Sequence, residues 1–323
     1  MIHAIVKRCA GIDVHKSSVT CTILVETPDG SIDKETRSYR TFRAELSQLA
    51  QWMVDREIEL VAMESTGIYW KALYEILESS SVNLVVVNAS HVKHLPGRKT
   101  DVTDSEWLAE LARCGLLRAS FIPPKDLREI RLLTRYRRKI VGTHASQKNR
   151  LHKLLEDGGI RLGSVVSKLD GKSSRDMIDA LIRGDQIPER IVKLARGRLK
   201  KKSRELQLAL DGQLSDRHRF VLKKIRSHMD YLETELDELN RQIVAAMEPY
   251  KEEWKLLQTM PGIDKMSAAV LLAEIGTDMS VFGSQQRFCK WLGVCPGNNE
   301  SAGKKKADEA PKATTSSKQQ PAK

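Results

Sequence analysis

Residues 9–87 set out three extended stretches in a row and then alternate helix with strand, an order few folds can accommodate. Residues 9–43 read as three strands. The first ends at Gly11-Ile12-Asp13-Val14, and the second, 18–25, is rich in β-branched residues. Thr27-Pro28-Asp29-Gly30 is a turn signal ahead of a third strand near 36–42. Leu46, Leu49, Trp52, Met53 and Ile58 then fall at helical spacing. An apolar strand at 60–63 follows with Glu64 at its carboxyl end, then a helix near 70–78 and a strand at 83–87. Strands first and alternation afterwards predict an α/β layer on a mixed sheet. In such sheets ligands gather beyond the carboxyl ends of the strands, which is where Asp13 and Glu64 fall.

Two further acids join them. The stretch 100–114 reads as a helix with Trp107, Leu108 and Leu111 as its apolar stripe, and Asp101 and Asp104, three apart near its start, share one face. Acids also favour a helix amino terminus for electrostatic reasons alone. Taken together, Asp13, Glu64, Asp101 and Asp104 are hard oxygen donors of the kind that bind Mg²⁺ (or Mn²⁺). Metal held by carboxylates can stabilise the attacking and leaving oxygens of a phosphodiester. The 323-residue chain carries a formal charge of +12, which attracts polyanions. No stretch approaches the roughly 20 apolar residues of a membrane span. The start, MIHAIVKRCAGIDVHK, has no signal-peptide pattern. Nucleic acid, not a membrane, is therefore the expected partner, in a cytoplasmic, nucleoid-associated setting. Cys9, Cys21, Cys114, Cys289 and Cys295 are odd in number and contain no CxxC, so reduced core thiols are expected and not a zinc site.

Beyond residue 125 the chain turns helical and basic. Arg128, Arg131, Arg135, Arg138, Lys139, Lys148 and Arg150 are candidate nucleic-acid contacts, with only Asp126 and Glu129 opposing them over 125–153. Leu127, Ile130, Leu133 and Ile140 would bury the other side. A second basic cluster, 190–204, is less amphipathic and reads equally as a surface connector. Residues 217–258 carry the clearest periodicity: Leu222, Ile225, Met229, Leu232, Leu236, Leu239, Ile243, Ala246 and Tyr250 at spacings of three and four. This is a coiled-coil seam, and it needs a partner helix. A second subunit is the favoured partner, an intramolecular hairpin the alternative. Met260-Pro261-Gly262-Ile263 and the helical 266–275 are similar to a helix-hairpin-helix, which offers backbone amides to phosphate. Asp264 stands where a small glycine is common, so a DNA contact and a structural turn both remain open. Residues 304–323 are poor in apolar side chains and are expected to be disordered.

The stretches GIDVHK, AMESTG, GRKTDVTDSEWLAEL, MPGIDKMSAAVLLAEIG and FCKWLGVCPGNNESAGKKK, in that order, resemble the IS110 family of transposases over about residues 8–303. The resemblance implies a RuvC-like, RNase H-like α/β amino-terminal domain with a mixed sheet, long coiled-coil helices, and a mainly α carboxyl-terminal domain with the helix-hairpin-helix-like turn. Taken with the charge runs and periodicity above, it divides the chain into 1–153 (RuvC-like domain with basic helical extension), 154–216 (basic helical connector), 217–258 (coiled coil), 259–303 (carboxyl-terminal transposase domain) and 304–323 (tail). It also implies that Asp13, Glu64, Asp101 and Asp104 form a metal-holding DEDD tetrad. Ser301 matches the family's serine nucleophile, which forms a covalent phosphoserine link with DNA. The implied partners are a structured bridge RNA that guides the reaction, donor and target DNA, and further copies of the chain in a dimer or tetramer. There the serine of one subunit completes the tetrad of another. The family pattern continues past the serine into a closing helix, whereas this chain passes into ADEAPKATTSSKQQPAK, so an altered carboxyl terminus with a weakly held Ser301 is expected. The rival readings are a RuvC-like structure-selective endonuclease without a covalent intermediate and a catalytically impaired nucleic-acid-binding remnant. An actin-like or sugar-kinase-like ATPase is a more distant third.

Overall fold

The computed structural model describes residues 5–65, 67–80, 82–88, 92, 103–294, 300–301 and 304–305. These divide into two compact units: residues 1–125 with 278–323, and residues 126–277.

The first unit is built on a five-stranded sheet. Strands β1 (Arg8–Val14), β2 (Ser18–Glu26) and β3 (Ile32–Arg40) form an antiparallel meander. Helix α1 (Arg43–Asp55) then returns the chain to β4 (Leu60–Glu64), which lies parallel to β1. Helix α2 (Trp70–Glu78) leads to β5 (Asn83–Val87), parallel to β4. The sheet order is β3-β2-β1-β4-β5. Strand β3 begins at Ile32, earlier than the expected 36, and is largely exposed. As an edge strand with few buried positions it carries little hydrophobic alternation. Its ends are set by its ladder with β2, from Glu26↔Ile32 to Ser18↔Arg40.

The two faces of the sheet are covered differently. On one, Ile12, Val14, Val19, Ile23, Val61, Met63 and Val86 pack under α1 and α2, whose Leu49, Met53, Leu73 and Leu77 are fully buried. On the other lies α3 (Asp104–Arg113), where Cys9, Leu24 and Ala62 meet Ala109 and Ala112. Val87 meets Trp107, Leu108 and Leu111 beside them. Small side chains dominate directly beneath α3, so helix and sheet approach closely there.

The second unit is helical. Helix α4 (Lys125–Asp157) runs for 33 residues. The short helices α5 (Leu162–Val165), α6 (Lys172–Ile182), α7 (Pro188–Val192) and α8 (Ser203–Ala209) follow. Helix α9 (Asp216–Ala246), opened by a capping box at Ser215 and His218, then runs back along α4. At one end of this pair, Leu151 and Leu155 share a core with Leu222 and Met229. At the other, Leu127 and Ile130 share one with Ile243 and Met247. Between them Arg137 Nε donates to Asn240 Oδ1 at 2.6 Å, and His144 Nε2 lies 3.1 Å from Glu233 Oε1. Part of the α9 seam, at Leu222, Met229 and Ile243, is thus covered by an antiparallel helix of the same chain. Spacing fixes that a partner exists without saying which helix supplies it. Nor is the seam one continuous helix over 217–258. Pro249, which lacks an N–H and crowds the preceding turn, breaks it after Ala246, and α10 (Lys251–Gln258) resumes beyond a 3₁₀ turn. Helix α11 (Lys265–Ile275) packs on α10 through the Pro261-Gly262 turn. The expected boundaries at 153, 216 and 258 all lie within this helical unit.

After Thr277 the chain belongs to the sheet-bearing unit. A 3₁₀ turn at Met279–Phe282 and helix α12 (Gln285–Leu292) carry Phe282 and Trp291, which pack with Phe121 at ring centroid distances of 5.4 and 6.3 Å. The terminal hairpin pairs β6 (Glu300–Ser301) with β7 (Lys304–Lys305).

One acid ties three helices of the second unit together. Glu233 on α9 accepts both guanidinium arms of Arg175 on α6 and the contact from His144 on α4. The Arg175 hydrogen bonds, first among the causes, hold its carboxyl below the ordinary 4.5. A depressed folded-state pKa adds stability above the unfolded value, and that stability is lost as pH falls through the folded one. Glu233→Gln should therefore cost about 1–2 kcal/mol at pH 7. In thermal melts the gap to the wild type should close as pH drops below 4.5. A gap that stays constant from pH 7 to pH 3 would show that charge is not the cause.

Candidate active site

The site is set by how α3 lies on β1. Gly11 sits in mid-strand, and a Cβ there would overlap the Ser105 carbonyl oxygen and the Ala109 amide, and lie 2.9 Å from the Leu108 carbonyl carbon. Only glycine allows a helix backbone this close to a strand. Cys9, two residues earlier on the same face, donates its thiol to the Ala109 carbonyl at 3.3 Å. Strand side chains alternate, so Asp13, two residues later, also faces α3. The same parity holds on β4: Ala62 packs against α3, and Glu64, two residues on, ends the strand on that face. β1 and β4 are parallel neighbours paired through Ile12↔Met63, so Asp13 and Glu64 leave the sheet side by side at adjoining carboxyl ends.

A hydroxyl network fixes the amino terminus of α3 over this corner. Ser105, 1% exposed, shares a 2.9 Å hydrogen bond with the fully buried Thr22 of β2, and Thr22 shares another of 2.9 Å with Thr36 of β3. Thr103 caps the helix by accepting from the Glu106 amide, and Lys34 pairs with Glu106 at 2.7 Å. Asp104, the first residue of α3, is exposed at the same end. Asp13 is accessible too, with 22% of its side chain exposed, and its Oδ2 lies 3.0 Å from His15 Nε2.

The structure thus brings Asp13, Glu64 and Asp104 to one end of one face. Asp101 lies outside the described residues. Among the described residues no group of three or more His, Cys, Asp and Glu is placed to hold a metal ion. The donor chemistry nonetheless fits a hard divalent cation, since every candidate ligand is a carboxylate. Cysteine is no rival ligand here. Burial pushes the Cys9 thiol up to about 12 and the Cys21 thiol higher still, so both stay protonated as core residues. Ser301 pairs with Lys304 in the terminal hairpin, within the sheet-bearing unit.

The basic side chains of α4 divide into two groups. Arg131 is largely buried and caps the carboxyl end of α11, donating to the carbonyls of Ala273 (3.2 Å) and Glu274 (2.9 Å). Its burial lowers its pKa below the ordinary arginine value. Arg135 grips the Glu274 carboxylate with two bonds of 2.9 and 3.0 Å. Lys148 pairs with Asp170 at 3.1 Å, and Arg128 is half-buried. Arg138, Lys139 and Arg150 are exposed. Asp264 caps α11 by accepting from the Ser267 amide at 2.7 Å, a bond that lowers its pKa. The Asp264 carboxylate thus occupies the Ser267 amide at this helix start, and its negative charge opposes a phosphate there.

Sequence reasoning missed the roles of Gly11, Ser105, His15 and Glu274. A glycine between the strand-like Cys9 and Asp13 was an available signal, because it obeys the strand's period of two; His15 lies past the end of β1, in the turn to β2, where that period gives no signal. Nothing in the sequence marked Glu274 as the partner of Arg131 and Arg135.

A five-stranded mixed sheet in this order, with acids at the ends of β1 and β4 and a helix laid over them, is an RNase H-like domain of the RuvC kind. Two family profiles match the chain: a DEDD transposase of IS110 type over residues 10–158, and "Transposase IS116/IS110/IS902 family" over residues 254–317. The chain belongs to the IS110 family of transposases. The second match runs to residue 317, beyond the point where the sequence departs from the expected pattern. Among solved structures, RuvC from Thermus thermophilus is 13% identical, covering 35% of this chain and 99% of its own, at a TM-score of 0.28. An Aquifex aeolicus member of the Ppx/GppA family is 14% identical, covering 76% and 99%, at a TM-score of 0.21. Scores this low leave the assignment to the family profiles and the sheet order. A search of curated proteins finds no match. Among the described residues no helix is long and apolar enough to cross a membrane.

Gly11→Ala should push α3 off β1, because the new methyl meets backbone and not a movable side chain. A loss of about 3 kcal/mol or more is expected, together with faster amide exchange in β1 and α3. A variant that melts with the wild type would disprove the close approach.

Proposed function

We propose that this transposase cuts and rejoins DNA under the direction of a bridge-type guide RNA, using Ser301 as nucleophile and Asp13, Glu64, Asp101 and Asp104 as ligands for Mg²⁺ or Mn²⁺. The observation that carries the reading is the convergence of Asp13, Glu64 and the start of α3 at one exposed corner of the sheet. A divalent ion bound there would neutralise charge on the phosphate and on the leaving oxygen.

The serine hydroxyl is a weak nucleophile and needs such a setting. Its oxygen forms a bond to phosphorus as the bond to a deoxyribose oxygen breaks, and the serine proton ends on the released hydroxyl. The phosphoester thus moves to the protein without being hydrolysed. A hydroxyl of another strand reverses the step and reseals the backbone with no external energy source. A dimer or tetramer in which strands are exchanged between sites is consistent with this chemistry. Delegating base recognition to RNA pairing also suits a protein whose exposed cations grip backbone without reading sequence.

The test uses the full chain, RNA transcribed from the flanks of its gene, duplex DNA spanning the element's junction, and Mg²⁺. A protein–DNA adduct that survives denaturing electrophoresis should form, and it should vanish in Ser301→Ala, in Asp13→Asn and when the RNA is withheld. An undiminished adduct in Ser301→Ala would remove the serine from the reaction. Cutting with no adduct in the wild type would point instead to a hydrolytic, RuvC-like endonuclease.

The cations of α4 separate by placement. Replacing Arg138, Lys139 and Arg150 together with alanine should weaken binding to any duplex. It should also reduce the slope of log K against log salt by about 2 to 3, with little change in melting. Arg135→Ala should instead lower the melting temperature, because it leaves Glu274 without its paired bonds. Equal salt slopes in the triple variant and the wild type would place the nucleic acid elsewhere.

A further inference from the structure

His15 follows Asp13 by two residues, at the turn that joins β1 to β2. Its Nε2 lies 3.0 Å from Asp13 Oδ2, yet 64% of the His15 side chain is exposed. It is mostly exposed and belongs to no hydrophobic core cluster, so core packing does not explain its position. A surface contact of this kind contributes little to folding.

The turn that carries it is held in place. The His15 amide donates to Ser18 O at 2.9 Å and closes the hairpin. Thr41 then ties the tip from outside, its hydroxyl donating to Lys16 O at 3.0 Å and its amide to Ser17 O at 3.3 Å. Val14 and Val19, each 1% exposed, anchor the hairpin's base in the core. His15 is therefore presented to Asp13 by a fixed backbone.

We propose that His15 is a positioning residue for Asp13: it engages one carboxylate oxygen through Nε2 and so limits rotation of the group, keeping the second oxygen available to a divalent cation. The inference rests on reading Asp13 as a metal ligand. A free aspartate at a strand end can rotate about two side-chain bonds, and each bond frozen in advance removes an entropic cost from ion capture. An outer partner that orients a ligating carboxylate is typically worth 10–100-fold in metal affinity. The arrangement requires Nε2 to carry a hydrogen toward Asp13, which a glutamine amide in place of the ring can imitate.

The experiment is a Mn²⁺ titration of the full-length protein, followed by electron paramagnetic resonance, with a thermal melt of each variant. His15→Ala should raise the Mn²⁺ dissociation constant by about 10–100-fold while the melting temperature stays within a degree or so of wild type. His15→Gln should recover most of the affinity. A dissociation constant in His15→Ala within twofold of the wild type, or tighter than it, would overturn the proposal, as would failure of His15→Gln to improve on alanine. A fall in melting temperature with unchanged Mn²⁺ affinity would make the residue merely structural. Asp13→Asn serves as the separate control. If it leaves Mn²⁺ binding intact, the reading of Asp13 fails and takes the role of His15 with it. If it abolishes binding while His15→Ala does not alter it, only the positioning role fails.

Discussion

The sheet-bearing unit depends on one close approach, the backbone of α3 resting on β1 at Gly11. A single missing Cβ lets a helix sit where a side chain would normally hold it away. From that contact the rest of the corner follows. Ser105 is pressed against Thr22, the buried hydroxyls of Thr22 and Ser105 satisfy one another, with Thr36 on the edge strand as a second partner of Thr22, and the first residue of α3 comes to the end of the strand that bears Asp13. A buried hydroxyl without a partner is costly, so the network also penalises sliding of α3 along the sheet. The contact that closes the core on this face thus also brings the start of α3 to the end of the strand that bears Asp13.

In the helical unit charge has two uses that composition cannot separate. The excess of Lys and Arg suggests a long phosphate-gripping helix, yet Arg131 and Arg135 are engaged with α11 through Glu274 and its neighbouring carbonyl. Lys148 and Arg175 hold Asp170 and Glu233 in the same way. Of the seven candidate contacts on α4, Arg138, Lys139 and Arg150 are the exposed ones, a smaller set than the sequence alone suggests. The packing of α4 against α11 and against the segment around Asp170 explains the difference, since it turns these cations inward, where each needs a partner.

The carboxyl-terminal segment gives a second case of long-range assignment. Residues 259–303 read as one domain, but α11 packs with the helical unit while the chain from Asp278 onward belongs with the sheet. Aromatic contacts of Phe282 and Trp291 with Phe121 hold that return. The segment that bears Ser301 therefore belongs to the unit that carries the acids, a grouping that chain order conceals.

Much of the local structure was legible beforehand. The strand and helix order of residues 9–87, the placement of Asp13 and Glu64 at strand ends and the buried stripe of α9 all follow from spacings of two, three and four residues, and the quoted motifs suffice to indicate the family. What the sequence could not settle were choices of partner: α4 of the same chain for part of the α9 seam, Glu274 for Arg131 and Arg135, the Ser267 amide of α11 for Asp264, and Asp13 for His15. Periodicity is a property of neighbouring residues and survives in a one-dimensional record. Partnership depends on which of several chemically equivalent surfaces the folded chain brings within a few ångströms, and only the tertiary structure decides that.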